Sequence, residues 1–499
     1  MEISKWAGKM ELRGKSVNAS PQGNLCPKSG PKPDKETASK PPRTFAVVGV
    51  MAAIPLLTLL DQVFKWPWVI GLMAIASLSF IALQGKYAST GIRRAAVILM
   101  LITLCLSLWI DAPLKAIGNG LRIGCLIASL LITVNLLSRA ALRVHRVREV
   151  VSNLYQLPDG QRYLGLTVGS QFFGGLLGLA GITMMMEIAA QQGEITQAEK
   201  ISSFSAISRG YAALSLWSPM YSNMSIVLAI YNGPDWVAVL PYVLAVSILL
   251  IALGVALEKF QHRSRKRHHG TPVYTRPNRL QATLPVIAAM LLFLTFMVLT
   301  SQLLGLPISA VIITSAPIAA WLLNVVLARA NRQRSRIAAG TQVLCQDFLS
   351  FQSMVGEVML FIASGCAGTV MASAIPATWT AVIGQLVSGS PILGSLFLST
   401  SIILLSSTAI HPMLSAVLVA SSFTPQLLHL PVIAHLCAVL VGWGLAIIIT
   451  PFSVLSLMAS RYSGIPILTI SLRANLWFAS LSVLSSALVL GGLTHLLQS

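Results

Sequence analysis

Apolar segments long enough to cross a bilayer recur along this chain, near 45–62, 67–84, 93–110, 120–139, 163–190, 203–232, 235–257, 280–303, 306–328, 350–388, 392–423, 431–463 and 475–497. A helix of roughly 17 to 25 apolar residues spans about 30 Å of hydrocarbon. Lipid offers the backbone no hydrogen-bond partner, so runs this long must be helices that satisfy their own amides. The chain therefore reads as an all-α polytopic membrane protein. Its composition agrees: 55% of residues are hydrophobic and 10% are charged, against about 25% charged in a soluble domain. The net charge of +20 does not call for a nucleic-acid partner. The basic residues lie in short loops between apolar segments, where they act as a topology signal, and the partner they imply is the lipid bilayer.

The first 44 residues are polar, with frequent Pro, Lys, Ser and Gly and no apolar core of a signal peptide. They are expected to form a disordered cytoplasmic tail. The six cysteines show no metal-ligand spacing and most fall inside apolar segments, so no cofactor, metal or disulfide framework is expected.

Arg93 and Arg94 follow the second segment, Arg139, Arg143, Arg146 and Arg148 the fourth, Lys259 to Arg279 the seventh, and Arg329 to Arg336 the ninth. Loops on the other side carry little beyond Lys65 and Lys115. All basic loops stay on one side only if 163–190 and 392–423 are re-entrant hairpins, the first entering from the cytoplasm and the second from outside. Gly174, Gly175, Gly178 and Gly181 suit a tight reversal in the first, and His411-Pro412 in the second. The expected plan is about eleven transmembrane helices plus two re-entrant hairpins in two inverted repeats with broken helices. The N-terminus is placed in the cytoplasm and the C-terminus outside. The expected divisions are a tail over 1–44, a peripheral helix over 45–64, a first repeat over 65–257, a basic linker over 258–280 and a second repeat over 281–499.

The breaks come from two matching stretches, Trp217-Ser-Pro-Met-Tyr-Ser-Asn-Met-Ser225 and Ile449-Thr-Pro-Phe-Ser-Val-Leu-Ser456. Each sets a Ser/Thr-Pro pair and several hydroxyls inside a long apolar segment. Proline removes a backbone donor and clashes with the preceding turn, so helix should stop near Pro219 and Pro451. Paired broken helices in corresponding halves point to a secondary transporter with its site near mid-membrane.

Two stretches carry a family likeness. Thr450-Pro-Phe-Ser-Val-Leu-Ser-Leu-Met-Ala-Ser-Arg-Tyr-Ser-Gly464 resembles the second broken helix of the ion transporter superfamily. Ser407-Thr-Ala-Ile-His-Pro-Met-Leu-Ser415 resembles the tip and return of its outer hairpin. With the order of elements, the resemblance extends over about 65–497. It takes in divalent-anion/sodium symporters and the large membrane subunits of tripartite periplasmic transporters, and it implies an elevator-like displacement. The symporters' Ser-Asn-Thr hairpin motif is absent from both tips, so sodium coupling and dicarboxylate specificity do not carry over.

Candidate substrate- or ion-binding residues follow from the breaks: Ser218, Ser222, Asn223 and Ser225 in the first half. In the second they are Ser406, Ser407, Thr408, His411, Thr450, Ser453 and Ser456. Each Ser or Thr has a competing role, a hydroxyl bonded back to its own helix. A buried Asn223 amide needs several partners, and His411 is titratable. Glu187 and Glu357 are placed at the cytoplasmic interface, His435 at an interface and Asp61 and Asp111 in solvent. A site without a fixed carboxylate suits an anion. No catalytic residues are expected. The expected function is secondary active transport of a small, anionic, carboxylate-like solute across the inner membrane, coupled to Na⁺ or H⁺. The alternative is the membrane subunit of a binding-protein-dependent uptake system. A resistance exporter or a membrane glycan transferase ranks lower. The protein partners that fit are a second copy in a homodimer and a periplasmic binding protein.

Overall fold

The computed structural model describes residues 41–192, 196–231, 235–262, 279–330, 335–408 and 410–498. Residues 1–40 of the expected 1–44 tail, the Gly233-Pro234 end of the first motif and most of the basic linker (263–278) lie outside the described residues, and residues 41–44 of that tail belong to a helix. Residues from Thr44 onward form one compact unit.

The first half runs α1 (Pro41–Phe64), α2 (Pro67–Gln84), α3 (Thr90–Ser107), α4 (Pro113–Leu142), α5 (His145–Tyr155), α6 (Asp159–Ala190), α7 (Gln197–Trp217), α8 (Ser222–Ile230) and α9 (Trp236–His262). The second runs α10 (Arg279–Leu304), α11 (Ile308–Ala330), α12 (Arg336–Leu349), α13 (Val355–Ala374), α14 (Ala377–Val387), α15 (Pro391–Ser407), α16 (Pro412–Ser422), α17 (Val432–Ile449), α18 (Val454–Ser463) and α19 (Ala474–Gln498). No strand occurs among the described residues.

Ten of these stretches are long and apolar enough to cross a membrane. They differ from the expected eleven in an instructive way. One of them, Gln161–Ala190, is the first hairpin. The segment over 203–232 is divided by its break, and only Gly49–Phe64 of the first segment counts, as a shorter apolar helix. The expected span over 350–388 also divides. Ile375 ahead of Pro376 is extended (ψ 126°), which ends α13 and starts the short α14. α5 and α12 occupy stretches taken as loops, and in α5 the charges hide an apolar stripe. In α5 that stripe is Val147, Val150, Val151 and Tyr155, all buried.

Both hairpins reverse. In α6 the turn is Gly178, at φ 54° and ψ −143°, a region that only glycine visits freely. A Cβ on Gly169 would lie 3.5 Å from the Met185 methyl. In a straight helix those two residues would be about 24 Å apart. The second hairpin turns between α15 and α16, bringing the rings of Phe397 and Phe423 to 4.7 Å, edge to face.

The two halves share one order: long helix, short helix, hairpin, broken helix, last helix. α4 and α13 hold the same place in that order, and they pack antiparallel. Thr369 Oγ1 donates to Ala116 O at 2.9 Å, while a Cβ on Gly124 would meet Ile362 Cα at 2.7 Å. Matching helices that run in opposite directions make the repeats inverted. The glycines set this approach, since a Cβ on Gly120 would lie 2.5 Å from Cys366 Cα. At the core is α17, apolar on every side except at His435 and buried from Ala434 to Ile449. α10, by contrast, exposes Leu291, Leu292, Phe296 and Leu299, the surface expected against lipid.

Candidate functional site

Both expected breaks are present. α7 ends at Trp217 and α8 begins at Ser222; α17 ends at Ile449 and α18 begins at Val454. The residue before each proline is extended, Ser218 at ψ 122° and Thr450 at ψ 134°. That is the conformation a following proline imposes.

Each break is tied to the hairpin of its own half by the hydroxyl just before the proline. Ser218 Oγ donates to Gly175 O at 3.4 Å, near the first tip. Thr450 Oγ1 donates to Ser406 O at 3.0 Å, near the second. A second hydroxyl then closes each gap: Ser225 donates to Pro219 O at 3.0 Å, and Ser453 to Ile447 O at 2.5 Å. The same latch is thus built twice.

Where the two tips and two breaks converge there is a cavity of ≈ 370 Å³, a size that holds a small molecule. The first tip contributes Leu177–Ala180 and the first break Met220–Asn223. The second tip contributes His411–Met413 and the second break Ile447 and Ser453–Leu455. α4 and α13 close the remaining sides with Ile127, Leu130, Val134, Glu357 and Phe361.

Of the residues singled out from sequence, Ser222, Asn223, His411 and Ser453 line this cavity. Asn223 is 2% exposed and its Nδ2 has no hydrogen-bond partner. His411 caps α16, its Nδ1 accepting from Met413 N at 3.3 Å, and packs edge to face on Phe361 at 5.6 Å. In the neutral ring that leaves the proton on Nε2. Ser453 caps α18, accepting from Ser456 N at 3.0 Å.

The other candidates do not line it. Ser218, Thr450 and Ser225 are spent on the latches, and Ser456 Oγ sits 3.5 Å from Ile447 O and Ile448 O. Ser406, Ser407 and Thr408 donate to Ile402 O, Ile403 O and Leu405 O, at 2.7, 2.8 and 2.7 Å. Those three hydroxyls are back-bonded to their own helix, the competing role open to any Ser or Thr in an apolar helix.

Three further expectations need correcting. Glu357, placed at the interface from sequence, lies on the cavity wall with Oε2 buried and unpartnered. Its one sequence signal was being a lone carboxylate in an apolar segment. His435 is fully buried: Nε2 bonds Phe423 O at 2.6 Å, and Nδ1 takes the Tyr231 hydroxyl. It thereby pins α17 to the end of the second hairpin and to the first broken helix. Asp61 is not left to solvent but binds Arg122 Nε through both oxygens at 3.1 Å. Glu187 is partly exposed and 4.0 Å from Arg148, as an interfacial acid should be, and Asp111 is exposed. Tyr211, Tyr221 and Trp443 also line the cavity and escaped the sequence reading, because aromatic residues in apolar helices look like packing.

A second cavity of ≈ 720 Å³ holds the Asp61–Arg122 pair together with Lys65 and Asp235. The two cavities stack along the same helices. On α4 it borders Asn119, Arg122 and Leu126, and the first cavity borders Ile127, Leu130 and Ser138. On α13 the division falls between Phe361 and Thr369, and on α16 between Met413 and Ser421. From Asn119 to Ser138 is about 29 Å of helix, close to the hydrocarbon thickness. α8 lies between them, with Ser222, Asn223 and Ile226 on one side and Ser225 and Leu228 on the other.

No family model and no curated protein matches the sequence. Among solved structures, the fold is similar to the crystal structure of the Alcanivorax borkumensis YdaH transporter. The TM-score is 0.53 and the identity 17%, over 80% of this chain and 96% of that one. This chain has a transporter fold. At that identity the likeness speaks for architecture alone.

Proposed function

We propose that the chain is a secondary active transporter, built on the plan of the ion transporter superfamily. It carries a small solute across the inner membrane from the cavity between the tips and breaks. The observation that carries this reading is Asn223, a buried amide whose donor is unpartnered and borders an open cavity at a helix break. Leaving a buried donor unmade costs about 1–3 kcal/mol unless a ligand satisfies it. The stacked cavities support alternating access, with α8 as the partition. The smaller cavity reaches Ser138 on α4, next to Arg139 and Arg143, and we take that end as its mouth. By the positive-inside bias we assign that mouth to the cytoplasm. Coupling to Na⁺ or H⁺ belongs to the same proposal.

The expected anion loses its premise, because the wall carries Glu357 and no Lys or Arg. The test is a ligand screen by thermal shift on the purified chain, using amines, zwitterions and carboxylates, followed by proteoliposome uptake of any hit. Asn223→Ala should weaken that ligand about five- to a hundredfold, the equivalent of one buried hydrogen bond. A ligand that binds Asn223→Ala as tightly as wild type would place the site elsewhere.

A further inference from the structure

Among the described residues, Glu357 is the one acid on the cavity wall, which holds no Lys or Arg. Basic side chains near the mouth are already engaged. Arg139 donates to Asn135 Oδ1 at 2.8 Å and to Ser350 Oγ at 2.7 Å. Arg143 is paired with Asp347 and Asn324. Arg148 lies against Glu187. The Glu357 carboxylate has no ion-pair partner among the described residues.

The same cavity is lined by an orphaned donor, Asn223 Nδ2, and by the rings of Tyr211, Tyr221, Phe361 and Trp443. An anion in this space would meet a carboxylate at low dielectric with nothing to neutralise it. A cation would find a counter-charge and aromatic rings, the combination that favours ammonium groups. The apolar remainder of the wall suits a hydrocarbon or aromatic body.

Resting on the cavity being the transport site, we infer that its substrate is an amphipathic organic amine. The ammonium sits on Glu357, and a hydrogen-bond acceptor of the solute sits on Asn223 Nδ2. Substrate and positive charge then cross together, and the specificity-determining residue is Glu357.

A thiol probe tests this without knowing the solute. Ser222→Cys is introduced into the full chain after the native cysteines are replaced, and labelled with methanethiosulfonates of similar size, one cationic, one anionic and one neutral. The cationic-to-anionic rate ratio should fall by about tenfold or more when Glu357→Gln is added, as expected for a charge at a confined site. The neutral reagent should label both proteins at the same rate, which certifies the fold. As a second measurement that needs no Glu357 variant, phenethylamine should slow neutral labelling while phenylpropionate does not. A ratio indifferent to Glu357→Gln, or protection by the carboxylate and not the amine, overturns the amine assignment and leaves the cavity standing. If no reagent reaches the introduced thiol while all reach one placed at exposed Leu108, the cavity itself is not the site, and both readings fall.

Discussion

The two broken helices are built alike and finished differently. In the second half, Ser453 caps α18 and closes the gap to Ile447 O, and Thr450 holds the hairpin at 3.0 Å. In the first half, Tyr221 at the start of α8 gives no side-chain cap, and the Ser218 latch is stretched to 3.4 Å. Asn223, one residue into α8, is left with an idle donor. The hairpins differ in the same sense: one turns on a single glycine, the other over several residues capped by His411. At its break the second half is closed on itself and the first keeps an idle donor, while away from the breaks the second half holds its own unpartnered atom, Glu357 Oε2. Inverted repeats share a backbone plan; satisfied and unsatisfied polar atoms tell their roles apart.

Gly178→Ala should have the largest effect. Nothing lies within 4 Å of the added methyl, so the cost is backbone strain at φ 54° alone, about 1–3 kcal/mol. Thermal unfolding in detergent should show that loss, while Thr408→Ala at the other tip stays within about 0.5 kcal/mol. Equal losses at both tips would erase the contrast between the hairpins.

Asn223→Ala and Ser453→Ala should then separate binding from stability. Ser453→Ala removes a cap and should cost about 0.5–2 kcal/mol of thermal stability. Asn223→Ala removes a donor with no partner, so ligand-free stability should hold or rise slightly while transport is lost. If Asn223→Ala unfolds earlier and Ser453→Ala does not, the roles of the two halves are reversed.

Smaller still is the difference between the latches. Thr450→Val should cost about 1 kcal/mol, as a buried hydroxyl at 3.0 Å is lost. Ser218→Ala should cost less, its contact being at 3.4 Å. Ser407→Ala should change neither unfolding nor uptake, because that exposed hydroxyl binds only its own helix. A transport defect there would show that the second tip reaches the solute in another conformation.

The sequence carried the fold a long way. Apolar run length demanded helices, basic loops demanded two reversals, and Ser218-Pro219 and Thr450-Pro451 marked both breaks. Proline by itself did not. Pro55, Pro241, Pro285 and Pro317 lie inside helices that continue through them. A helix breaks at proline only where neighbouring groups satisfy the freed backbone, as the latching hydroxyls do here. α5 stayed hidden because its charges mask a narrow buried stripe.

For the site, sequence placed polar groups at the right depth and could not aim them. Ser222 and Asn223 face the cavity, while Ser225, two residues past Asn223, faces the other way. Hydroxyls at the second tip turned back on their own helix. Helical periodicity determines which residues share a face, but only packing decides which face meets a cavity. Glu357 shows it most plainly: its place near a segment end was legible, but the lack of an ion-pair partner for it among the described residues was not. That depended on Arg139 and Arg143 being held by Asn135, one turn away, and by Ser350, Asn324 and Asp347 from the other half of the chain.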